Sequence, residues 1–255
     1  MAICFSAAAS FAAAALVLPI GVQALRLSRA ESCVAMRPLA WLPLGFALQQ
    51  ALEGWIWTLL APTTIPPPLS ELVTGAPSAW LPPLSLAYLF FAYALWPAWI
   101  PWCALVLARE RVGAIRFLAL RLLLGCGVLL GLILWLPVAA HPLRAVPTVM
   151  GGSLHYGAVD LLRGSPLAGL GPAIYLLLII VPLLLVPARP VRLFALSLGL
   201  SALISQLWWQ HTFSSVWCWF SALLSCQILL LLAGEAPLRP PAPPLPPPPG
   251  AVHAS

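Results

Sequence analysis

The stretch IRFLALRLLLGCGVLLGLILWLP (Ile115–Pro137) decides the class of fold. After Arg121 no Asp, Glu, Lys or Arg follows until Arg144. A helix that crosses a bilayer needs about 20 mainly apolar residues, and this segment supplies them. Six more stretches of the same kind lie on either side. Residues 4–25, 39–61 and 80–107 precede it, and 169–188, 191–210 and 212–233 follow. The expectation is an all-α, polytopic bundle of seven transmembrane helices over residues 1–233. The third stretch contains Pro82, Pro83, Pro97 and Pro101, so it should be kinked or tilted. Only Gln210, His211 and Thr212 mark the turn between the sixth and seventh.

Composition points the same way. Of 255 residues, 62% are hydrophobic and 7% are charged, with a mean hydropathy of +1.00. A soluble domain carries about 25% charged residues, so a water-soluble enzyme on a Rossmann or barrel scaffold is excluded. All 12 basic residues are arginine. Without a lysine amine neither retinal nor pyridoxal phosphate can be held as a Schiff base. The net charge of +6 does not indicate nucleic acid, because the arginines are scattered through short loops and form no patch. Residues 234–255, which include PLRPPAPPLPPPPGAVHAS, read as a proline-rich disordered tail. The loop at 62–79 is also proline-rich and carries only Glu71.

Arginine placement gives an orientation. Arg26, Arg29, Arg37, Arg109, Arg111, Arg116, Arg121, Arg189, Arg192 and Arg239 fall on one side, and Arg144 and Arg163 on the other. The richer side is cytoplasmic by the positive-inside rule. The expected topology therefore has the N-terminus outside and the C-terminus inside, as a multi-pass protein of the cell membrane. Trp55, Trp57, Trp80, Trp135, Trp208, Trp209 and Trp217 fall near the outer ends of their spans. Trp41, Trp99 and Trp102 fall near the inner ends, which reads as two interfacial belts. The first span is expected to stay uncleaved, since its first arginine, Arg26, follows the apolar run.

Six cysteines (Cys4, Cys33, Cys103, Cys126, Cys218 and Cys226) contain no CxxC pair. A zinc ribbon and a thioredoxin motif are therefore absent. A Cys4–Cys218 bridge is open on the outer side, against the commoner role of membrane cysteines as small apolar residues. Gly127 and Gly131 form a GxxxG, and Ser197, Ser201 and Ser205 recur every four residues. Both patterns read as close-packing faces.

The most informative polar segment is QQALEGWIW at 49–57. Gln49 and Glu53 share a helix face, which Gly45 and Trp57 extend by a turn each way. Glu53 lies roughly 4–5 Å beyond the middle of its span, on the outer side. A carboxyl there costs about 2–3 kcal/mol to insert. It should be protonated or paired, and it should face protein. Its two readings are a titrating or ligand-binding group and an interhelical hydrogen bond that fixes packing. At similar depth lie Ser205, Gln206, Trp208, Trp209, Gln210 and His211, then Ser214, Ser215, Trp217, Cys218 and Ser221. The outer loop 138–168 adds His141, His155, Tyr156 and Asp160. Gln49, Glu53, Trp57, His155, Asp160, Trp209, Gln210 and His211 are thus the candidate ligand-binding residues of an outward-facing polar pocket.

Four segments, CFSAAAS (4–10), QQALEGWIW (49–57), FFAYALWPAWIP (90–101) and SVWCWF (215–220), resemble an uncharacterised bacterial family of seven-helix membrane proteins. The resemblance covers most of residues 4–233 and stops before the tail. Members of that family begin Met-Cys-Phe-Ser-Ala, whereas Ala2 and Ile3 intervene here. The resemblance implies the topology and no particular activity.

Three functions compete. The first is a small-ligand binding or sensing bundle, favoured by the outer polar cluster and the lack of a complete catalytic set. The second is a proton-coupled transporter built on Glu53, against which stand the lack of an inverted repeat and the single buried acid. The third is a metal-dependent lipid hydrolase using Glu53, His155, Asp160 and His211, for which no HExxH or HxxxH spacing exists. No motif calls for a cofactor or a resident metal. The expected partners are membrane lipid and a small ligand, with no nucleic acid.

Overall fold

The computed structural model describes residues 6–60, 77–150, 152–157, 171–208 and 213–235. The tail beyond Glu235 lies outside them, as do Cys4, Asp160, Trp209, Gln210 and His211. Helices occupy each of the seven apolar stretches. They are α1 (Ala7–Leu27), a short α2 (Arg37–Ala40) leading into α3 (Leu42–Leu60), α4 (Pro77–Leu89) joined through Phe90–Leu95 to α5 (Trp96–Ala108), α6 (Ala114–Ala140), α7 (Gly171–Leu185), α8 (Arg189–Trp208), and α9 (Phe213–Leu224) with α10 (Cys226–Glu235). A small hairpin, β1 (Thr148–Met150) with β2 (Ser153–His155), lies between α6 and α7.

Five of these segments are long and apolar enough to cross a membrane: Ala7–Leu27, Ala79–Ala108, Ala114–Ala140, Arg189–Trp208 and Ser215–Gly234. α7 is as apolar but has 15 residues. α3 has 19, and its apolar run is broken by Gln49, Gln50 and Glu53. Only 17% of the α6 window is buried inside the protein. Leu118, Leu122, Leu129, Leu132 and Leu136 all point outward from that helix. An apolar surface of that extent is stable in lipid and not in water.

Neighbouring helices pack in a closed circuit. α1 lies along α3, α3 meets α4, α5 packs on α6 and α7, α8 on α7 and α9, and α10 returns against α1. Small residues set the closest approaches. A Cβ at Gly21 would collide with Leu44, and one at Gly54 with Phe11, so both glycines let α1 and α3 touch. A Cβ at Gly127 would strike the Pro97 carbonyl, and one at Gly131 would come within 3.0 Å of the Ala94 carbonyl. The GxxxG of α6 is therefore a packing face against α5 and the segment before it.

The prolines of the third stretch interrupt the α-helical ladder by a specific route. Residues 90–95 form a π-turn. Pro97 has no N–H to give to the turn below, and its ring crowds the preceding carbonyls. The Trp96 N–H accordingly bonds five residues back, to the Phe91 carbonyl. The Ala92 carbonyl accepts instead from the Tyr175 hydroxyl of α7.

Three features differ from the expectation. The seventh stretch is two helices, not one. At Ser225 the backbone N–H is shared between the Ser221 and Ala222 carbonyls, and the hydroxyl also donates to Ala222. That competition with the helical ladder interrupts the helix without a proline. Trp57 and Trp217, read as belt residues, are buried, because both face neighbouring helices. Trp41, Trp55, Trp80 and Trp208 are exposed, as an interfacial position requires. Lastly, the connection between α6 and α7 contains the hairpin, which turns through Gly152 at φ 80, a conformation that suits glycine.

Candidate functional site

α3 carries the site. Its glutamines and acid face inward: Gln49 and Gln50 are 0% exposed and Glu53 is 1% exposed. The stripe Gly45–Gln49–Glu53–Trp57 comes from the four-residue spacing of a helix. It meets α9, which packs against α3. The Ser215 hydroxyl of α9 donates to Glu53 Oε1. The Gln50 amide donates to Glu53 Oε2 at 3.2 Å. Both of these partners are neutral. Glu53 therefore faces protein and is hydrogen-bonded to the seventh stretch, as the cost of a lipid-exposed carboxyl demands.

One turn away, Gln49 links three helices. It accepts from the Trp96 indole N–H of α5 at 2.7 Å and donates to the Cys218 sulfur of α9 at 3.2 Å. Tyr88 of α4 also hydrogen-bonds that sulfur. Cys218 is a free thiol, so its sulfur is a hydrogen-bonding partner and not half of a bridge. Beyond Trp96 a cavity of about 10 Å³ lies between Phe46, Trp96, Tyr175, Trp217, Cys218 and Ser221, room for about one water.

The hairpin covers the other end. Its inward strand packs on α9, with Ser153 and Leu154 fully buried. Tyr156, just past β2, stacks on Tyr88 with ring centroids 4.8 Å apart and planes at 10°. Burial pushes the Tyr156 hydroxyl well above its ordinary pKa, which keeps it a neutral donor and acceptor. Tyr88, Tyr93, Tyr156, Trp57 and Cys218 share one apolar cluster with Leu154 and Val138. Within this part of the bundle Gln50 Oε1, Trp57 Nε1, Ser153 Oγ and the Tyr156 hydroxyl are buried without a hydrogen-bond partner among the described residues. Each such atom costs about 1–3 kcal/mol unless something satisfies it.

Of the eight candidate residues, the structure brings Gln49, Glu53 and Trp57 onto one buried face. His155 sits half-buried at the end of β2, paired in register with Thr148. Asp160, Trp209, Gln210 and His211 lie outside the described residues. Among the described residues no group of three or more His, Cys, Asp or Glu could hold a metal ion. Sequence reasoning passed over Gln50, Tyr88, Tyr93 and Trp96 as site residues. Two tyrosines in the middle of an apolar stretch were the available signal for Tyr88 and Tyr93, since a buried hydroxyl needs a partner. No family model, curated protein or solved structure matches the chain.

Proposed function

We propose that the chain is a seven-span protein of the cell membrane, N-terminus outside and C-terminus in the cytoplasm, that binds and senses a small amphiphile at the Glu53 cluster. The observation that carries this reading is a carboxyl held by two neutral partners, Ser215 and Gln50, beside buried polar atoms of Gln50, Trp57 and Tyr156 that have none among the described residues. A packing bond alone would need one partner for Glu53. It would leave no reason for an unpartnered amide oxygen, indole N–H and phenol nearby. Those groups include a donor, an acceptor and a hydroxyl, set among aromatic walls. That chemistry suits a ligand with one hydroxyl or amide on an apolar body.

Three of the four segments that carry the family resemblance border this cluster. Gln49–Trp57 supplies Gln49 and Glu53, Phe90–Pro101 supplies Tyr93 and Trp96, and Ser215–Phe220 supplies Ser215 and Cys218. Membership of the bacterial seven-helix family would place its shared residues around one site. Proton-coupled transport remains the second reading, favoured by the buried acid itself.

Thermal unfolding of the full chain in detergent, with and without lipid extract, tests the proposal across about pH 5 to 9. Glu53→Gln keeps the shape and fixes the side chain as neutral. The expected result is a ligand-dependent rise in Tm that changes with pH in the wild type and is flat with pH in Glu53→Gln. Tyr88, Tyr156 and Cys218, the other ionisable groups around Glu53, are the same in both proteins, so the difference between the two profiles reports Glu53 alone. Identical profiles for the two proteins would leave Glu53 as a packing residue.

A further inference from the structure

A second site lies away from the Glu53 cluster. A groove of about 680 Å³ runs between α8 and α10, floored and walled by Leu193, Leu196 and Leu200 on one side and Gln227, Leu230 and Gly234 on the other. We propose that this groove holds one acyl chain of an anionic phospholipid, whose phosphate is held by Arg189 and Arg192.

Helix spacing places the charge at the end of the groove. Arg189, Leu193, Leu196 and Leu200 follow one another at intervals of four, three and four residues, so they line one face of α8. Arg189 and Arg192 are both exposed at the first turn of that helix. From Arg189 to Leu200 the rise is about 16 Å. One leaflet of a ~30 Å hydrocarbon core is about 15 Å deep. The groove therefore runs the depth of one leaflet, with cationic groups where a headgroup lies. Leu196, Leu200 and Leu230 are each more than half exposed, so the walls are open to an acyl chain along their length. Gln227 donates to the Ser197 hydroxyl at 3.2 Å, and Ser197 donates to the Leu193 carbonyl. These bonds engage polar groups that would otherwise be unpaired in the apolar channel.

A second copy of this chain suits the surface less well. Symmetric pairing in one membrane keeps both copies in the same orientation, so each Arg189 and Arg192 would face its counterpart at the same depth. Like charges placed together oppose such an interface. An anionic headgroup neutralises them.

The test uses the full chain in detergent, with phosphatidylglycerol and phosphatidylcholine of matched acyl length as probes. Native mass spectrometry reads retained lipid, and Tm reads stabilisation. The expected result is one phosphatidylglycerol retained per chain, with a Tm rise that phosphatidylcholine and inorganic phosphate do not give. Arg189→Gln with Arg192→Gln should weaken retention about 25-fold, at about fivefold for each arginine. Gly234→Phe, at a position with open space around it, should block the groove and abolish retention while leaving the lipid-free Tm unchanged. Equal retention of the two lipids would overturn the proposal. So would retention unaffected by either variant, or a lipid-free dimer crosslinked through Leu196→Cys.

Discussion

The two apolar clusters of the bundle solve the same packing problem differently. The larger runs from Val17 and Phe46 through Ile100, Leu183 and Phe194 to Leu232. Its polar seam at α8 and α9 is closed: the Trp217 indole donates to Ser201 at 3.1 Å, and Ser205 and Ser201 bond their own helix backbone. The smaller cluster is built around Tyr88, Tyr93, Tyr156, Trp57 and Cys218. It borders Glu53 and contains the Trp57 indole N–H and the Tyr156 hydroxyl, which have no hydrogen-bond partner among the described residues. A bundle packed only for stability satisfies such atoms or replaces them with carbon. The first cluster therefore holds the helices together, and the second keeps polar capacity in reserve at some cost in stability.

The largest expected effect breaks the first cluster. A Cβ at Gly127 would meet the Pro97 carbonyl, which is backbone and cannot swing aside. Gly127→Ala should destabilise by about 3 kcal/mol. Gly125, two residues away on the same helix, has nothing within 4 Å, so Gly125→Ala should be neutral or stabilising by about 0.5 kcal/mol. Tm measurements in detergent on the two variants compare them directly. Equal effects would mean that α6 and α5 do not touch through Gly127.

A smaller effect is expected at the roof of the second cluster. Leu154 is fully buried under the hairpin, whereas Val149, its partner across the strands, is exposed. Leu154→Ala should cost about 2 kcal/mol, and Val149→Ala less than about 0.5 kcal/mol. Leu154→Ala should also speed hydrogen exchange at Ser153 and Tyr156 relative to the helices. Unchanged exchange there would show that the hairpin does not depend on its apolar anchor.

How much of this was legible beforehand follows from what each signal measures. A long apolar run marks a helix whatever it packs against, so all seven helical stretches could be read. The rotation of each helix about its axis is another matter. Lipid and protein interior are equally apolar, so the run itself does not say which side faces which. Glu53 was legible because a carboxyl cannot face acyl chains, and Gln49 followed from the four-residue spacing. Trp57 sits on that same stripe, yet its place near a helix end resembled an interfacial anchor. Trp217 gave no such clue, because its partner Ser201 lies on another helix. The hairpin was signalled only by the Gly-Gly pair at 151–152 between three-residue strands, too short for alternation to be seen. Ser215 could be placed at the right depth but not given its bond to Glu53. That pairing depends on how α9 turns against α3.

The smallest expected effect sharpens the contrast most directly, because it compares one chemical change in both clusters. Trp57 and Trp217 are buried to nearly the same extent, at 7% and 5% exposed. Trp217 donates its N–H to Ser201, whereas the Trp57 N–H has no partner among the described residues. Tryptophan to phenylalanine removes similar ring volume at both sites, so that loss is common to the two variants. Trp217→Phe also breaks a buried hydrogen bond and strips Ser201 of its donor, whereas Trp57→Phe removes a group that was costing energy. The difference should be about 1 kcal/mol, with Trp217→Phe the less stable. For a chain of this length that is about 2–4 °C in Tm. The order should reverse in the presence of lipid extract that contains the ligand. Bound ligand would engage the Trp57 N–H in the wild type, and Trp57→Phe would then lose more of the ligand-dependent rise. Equal Tm values without extract would show that the two indoles are equally satisfied, and the distinction between the clusters would fail at that point.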